Sequence, residues 1–91
     1  MANVTNYISK KLAANVLEQS VALDTNVFKL IKNASANIVT INIDNATTED
    51  GAIELGANES IENFNAYCKV LYYVADVDAS TLKIIALREK E

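Results

Sequence analysis

Cys68 is the most nucleophilic side chain in this sequence, and no residue is present to activate it. A catalytic thiol needs a base to make the thiolate, and the 91 residues include no histidine. Cys68 opens the apolar run CKVLYYVA, where a small buried hydrophobe is expected. One cysteine also makes no intrachain disulfide and no thiolate zinc cluster. Paired carboxylates remain as an acid–base device, Glu59 with Glu62 and Asp76 with Asp78. No sequence signal surrounds either pair with a deep pocket, and a chain of this length rarely encloses one. The expectation is a protein without catalytic residues, cofactor or metal.

Cation binding is the next chemistry to weigh. Asp76-Val77-Asp78 with Ser80 begins like a calcium loop, whose hard cation wants clustered oxygens. The match then fails, because Thr81 stands where the loop needs glycine and Leu87 where it needs a bidentate glutamate. A turn between strands is the better reading, and the acidic stretch holding Asp44, Glu49 and Asp50 is read the same way. N-x-S/T triplets begin at Asn3, Asn33, Asn45 and Asn58. A chain with eleven asparagines generates such triplets readily, and no signal peptide is expected from the opening MANVTNYISKKLAANV.

Net charge is −4, and of the eight basic residues only Lys10 and Lys11 are adjacent. That balance does not suit nucleic acid, which is gripped by clustered Lys and Arg. No apolar run has the length to span a bilayer, so no membrane partner is expected. Half the residues are apolar (51%), enough for one packed domain, and folding in a reducing cytoplasm is expected.

The elements that must position these residues read as strands. Val39, Ile41 and Ile43 alternate with Thr40, Asn42 and Asp44, the period of a half-buried strand. Asp50-Gly51 turns the chain, Ile53 and Leu55 resume the apolar face, and Gly56-Ala57-Asn58 turns it again. Val21 and Leu23 lead to Asp24-Thr25-Asn26, read as a turn before a strand over residues 27–31. Asn33 to Asn37 closes that strand. A short strand near residues 60–64 precedes a central one at 68–75, and a last strand covers 81–87 before a solvated charged end at 88–91. Turns lacking proline rely on Asn, Asp, Ser and Thr, whose side chains bond the local backbone.

Residues 1–19 stand apart. Val4, Ile8, Leu12 and Val16 recur every fourth position, which predicts a short amphipathic helix or arm, with an extended strand as the alternative. The organisation expected is therefore an N-terminal arm or helix over 1–19 and a small antiparallel β-sandwich or jelly-roll-like domain over 20–91. The expected core includes Val39, Ile41, Ile43, Leu55, Val70, Leu71, Tyr72, Val74 and Ile84. Ile8, Leu12 and Val16 are the expected interface, joined by Tyr73 and Phe28.

Residues 21–87 resemble small β-sandwich structural proteins of tailed bacteriophages. The pieces are Asn33-Ala34-Ser35, the strand Ile38 to Ile43, Gly51-Ala52-Ile53-Glu54-Leu55, Gly56-Ala57-Asn58-Glu59-Ser60, the tyrosine-bearing Val70 to Val74 and Leu82 to Leu87. The chain departs from that pattern in having no proline in the Leu55 to Ser60 turn. The resemblance implies a non-enzymatic virion component, assembled in the host cytoplasm and present in many copies. Its most natural role is an auxiliary or decoration protein on the capsid shell, with the major capsid protein or other virion subunits as partner. A head–tail connector or tail accessory role is the nearest alternative. Outside the virion, a cellular module binding an extended peptide at a sheet edge would fit the same pattern.

Overall fold

The computed structural model describes residues 3–90 and is built of strands, with no helix among the described residues. Met1, Ala2 and Glu91, at the ends of the two expected segments, lie outside them. The strands are β1 (Asn3–Ala14), β2 (Gln19–Asn33), β3 (Val39–Ile43), β4 (Ile53–Leu55), β5 (Ser60–Ala75) and β6 (Ser80–Lys90). They form one antiparallel sheet in the order β1-β6-β2-β5-β3-β4.

The predicted N-terminal helix is a strand. Four is an even number, so Ile8 and Leu12 share one face of a strand as readily as one face of a helix. The intervening Asn6 and Lys10 would be far from that stripe on a helix, but they belong to the same strand face. A lone helix of this length is marginal, whereas β1 pairs with β6 from Asn3↔Lys90 to Ala14↔Ser80. Ile8 faces Ala86, Leu12 faces Leu82, and both pack on the core. The same pairing takes Arg88 and Glu89 out of the expected solvated end and makes them half-buried strand residues.

Two expected breaks are bulges inside long strands. Asp24-Thr25-Asn26 does not turn β2; its register with β5 shifts on either side of Thr25, and Asp24 takes a left-handed φ of 54°. Asn26 spans the disturbance, its Nδ2 donating to Glu89 O at 2.9 Å and its Oδ1 accepting from Glu89 N at 2.9 Å. A side chain thus replaces a lost ladder bond. β5 carries the matching irregularity between Asn65 and Cys68, which face Val27 and Thr25, so the expected strands at 60–64 and 68–75 are one.

These long strands explain why one continuous sheet stands where a sandwich was expected. The first half of β2 pairs with the second half of β5, which carries β3 and β4. The second half of β2 carries β6 and β1 instead. Residues from both ends of the sheet join a single core, including Phe28, Ile31, Val39, Ile41, Leu71 and Ile84. A cavity of about 90 Å³ between Ile31, Ile61 and Phe64 on one side and Ile41, Ile43 and Ile53 on the other shows the inner faces meeting.

Candidate docking surface

Three of the four carboxylates that the sequence pairs for acid–base chemistry cap backbone N–H groups, while Glu62 stands exposed on β5. Asp76 Oδ1 accepts from Ile38 N at 2.9 Å, and Asp78 Oδ1 accepts from Val16 N at 2.9 Å. Glu59 Oε1 accepts from Gly56 N at 2.6 Å across its own turn. Asp44 Oδ1 accepts from both Lys69 N and Val70 N, at 2.9 and 2.8 Å, closing the end of the β3–β5 ladder. The reason is local: turns without proline leave N–H groups that short acidic side chains satisfy.

Those caps tie several segments into one rigid end. Asn15 Oδ1 accepts from Ala79 N at 3.0 Å, and Asn15 O accepts from Ala75 N at 2.8 Å. With Val16 bonded to Asp78, the β1–β2 and β5–β6 turns are locked together. Asp76 N donates back to Ile38 O at 3.0 Å, adding the approach to β3. Glu18 Oε1 accepts from Thr47 Oγ1 and Thr47 N, both at 2.6 Å, which pins the β3–β4 connection beside it. The Thr47 hydroxyl, then its N–H, holds the Glu18 carboxyl below the usual carboxylate range.

On this fixed backbone sit four exposed apolar side chains: Leu17 (78% exposed), Val16 (50%), Val77 (48%) and Ile38 (43%). Single exposed hydrophobes are ordinary, but four on directly bonded segments concentrate apolar surface at one end of the molecule, as interaction sites do. A shallow hollow lined by Asn15, Val16, Leu17, Gln19, Asp78 and Ala79 opens there. A second, polar hollow lies at the other end of β1, where Arg88 pairs with Asp24 and stacks 5.6 Å over the Tyr67 ring. Surface pairs of that kind contribute little stability.

Of the five side chains expected at an interface, the structure leaves one on the surface. Val16 belongs to the apolar end. Ile8 and Leu12 line the inner face of β1, Phe28 is fully buried, and Tyr73 is 4% exposed. Burial also pushes the Tyr73 phenol pKa up. Comparison with family models, curated proteins and solved structures finds no match to this chain. Leu17, Ile38 and Val77 were missed as surface anchors. The signal was there for Val77, an aliphatic residue between two aspartates in a turn, where no core is within reach.

Cys68 is fully buried opposite Thr25. Burial first, and the Asp44 carboxylate second, push its pKa from an ordinary 9.0 up to about 12. A thiol held neutral in the fold but free to ionise in the unfolded chain favours the fold fully below pH 9.0 and progressively less toward pH 12. Stability should therefore fall over that window by up to ~1.4 kcal/mol per pH unit, in the same direction as Tyr73. Urea melts of wild type and Cys68→Ala across the window test this, and the variant's slope should be shallower. Native Cys68 should also resist thiol reagents until urea exposes it.

Proposed function

We propose that this protein is a non-enzymatic structural module that docks through the Val16–Leu17–Ile38–Val77 end onto a larger protein assembly. The resemblance to phage sandwich proteins makes that assembly the capsid shell, with the major capsid protein as partner and an auxiliary or decoration role. The apolar end carries the reading. Its backbone is immobilised before binding, so docking orders few groups and keeps more of the burial energy as affinity. Burying Leu17 and Val77 fully would contribute roughly 1.5–3 kcal/mol each. The inward cysteine and the commitment of Glu59, Asp76 and Asp78 to backbone caps support a binding role over a catalytic one.

Pelleting the purified protein with capsids of the phage that encodes it tests this. Saturable co-sedimentation is expected; protein that stays in the supernatant at every ratio would overturn the capsid assignment. A second reading has its own observation: β1 is a twelve-residue edge strand paired on one side only, the kind of edge to which an extended peptide adds.

A further inference from the structure

A row of lysines crosses the outer face of the sheet. Lys11 on β1 is paired with Lys83 on β6, and Lys83 is paired with Lys32 on β2. Directly opposed residues of adjacent antiparallel strands share a face with Cβ atoms about 5 Å apart, and like charges so placed repel. No carboxylate forms an ion pair with them: among the described residues the one ion pair joins Arg88 and Asp24. A chain with twelve acidic and eight basic residues thus concentrates repulsion where its monomer gains nothing. Beside the lysines, on the same face, Ile85 is paired with Leu30, and both are half-buried. Leu30 is paired in turn with exposed Glu62 on β5, so the apolar strip has the lysine row along one side and one carboxylate at its β5 end.

The complement of that face lies at the other edge of the same sheet. Residues 33–68 contain six acids and no Lys or Arg, while β1 contains Lys10 and Lys11 and no acid. Within the acidic half, Glu49, Asp50 and Glu54 are exposed around Ile53, itself 37% exposed on the edge strand β4. Ile53 turns toward the inner cavity and Glu54 to the opposite face of β4, so this edge offers carboxylates to the ammonium groups of the lysine row. Pairing β1 of one copy with β1 of another would instead bring Lys10 and Lys11 near their own counterparts, with no acid on either strand.

We propose that a second copy of this chain docks its Glu49–Asp50–Glu54 edge on the Lys11–Lys83–Lys32 face, so that copies add head to tail. The two surfaces lie at opposite edges of the sheet, so each copy offers both at once, the arrangement that closes into rings or extends as filaments. This contact is separate from the apolar end and stands whether or not that end binds a capsid.

Sedimentation equilibrium of the full chain at ~0.02 M and ~1 M salt gives the first reading, because exposed ion pairs are screened at the higher value. Mass should rise with protein concentration at low salt and return to that of the monomer at high salt. Lys83→Glu should weaken association more than ~10-fold while raising the thermal midpoint of the monomer, since it places an acid between two lysines. Those opposite movements separate a lost contact from a misfolded variant. The triple variant Glu49→Lys, Asp50→Lys, Glu54→Lys should be monomeric alone, and mixing it with the triple variant Lys11→Glu, Lys32→Glu, Lys83→Glu should restore association. A wild-type monomer at every low-salt concentration, or association indifferent to these charges, would overturn the proposal.

Discussion

Asn33→Ala should destabilise the protein by ~3–5 kcal/mol, more than its size would suggest, because several buried groups lose their partner at once. Asn33 is fully buried at the end of β2. Its Nδ2 donates to Leu55 O and Gly56 O, both at 2.9 Å, and to Asn37 O. Its Oδ1 accepts from Ser35 N at 3.1 Å and Ser35 Oγ at 2.6 Å. One amide therefore joins β2, the 34–37 turn and the end of β4. Each buried group left unpaired costs about 1–3 kcal/mol, partly recovered where water reaches the exposed side of the turn. Asn33→Asp should be worse, since it removes the donor and points negative charge at three carbonyl oxygens. Urea denaturation measures both, and a loss below ~1 kcal/mol for alanine would mean that the turn rearranges to satisfy itself.

Phe28→Ala should cost ~3–5 kcal/mol, on the order of 20 °C in thermal midpoint for a domain this small. Phe28 is fully buried on β2, between Phe64 of β5 and Ala86 of β6. Its ring stacks on Phe64 with centroids 6.3 Å apart. Truncation loses that contact and opens a cavity in the middle of the sheet, where flanking strands on both sides limit collapse. Phe28→Leu, which keeps most of the volume, should cost less than half as much. An interface role for Phe28 would give the opposite pattern, with stability nearly unchanged and binding lost.

The antiparallel core was legible where alternation was strict. Val39 and Ile41 are buried, Ile43 is half-buried, and Leu55, Leu71 and Ile84 are also buried as their patterns required. The errors came where a strand changes phase. In β5, Cys68 and Leu71 both point inward though three residues apart, because the Asp44 carboxylate takes up the N–H groups of Lys69 and Val70. Counting by twos from Cys68 puts Tyr72 inside, whereas after the shift Tyr73 is buried and Val70, Tyr72 and Val74 are half-buried. At Asp24 a polar triplet looks like a turn in sequence because bulge and turn use the same residues. The apolar end was hidden for another reason. Val16, Leu17, Ile38 and Val77 are scattered along the chain, and only hydrogen bonds between their turns bring them together.

Binding and stability measured side by side on Leu17→Asp/Val77→Asp test the central claim most directly. Both side chains are exposed, so the unfolding free energy from urea melts should stay within ~0.5 kcal/mol of wild type. Co-sedimentation with capsids should weaken by ~100-fold or more, since two apolar anchors are replaced by charges that must be desolvated. Unchanged binding by a stably folded double variant would contradict docking through this end.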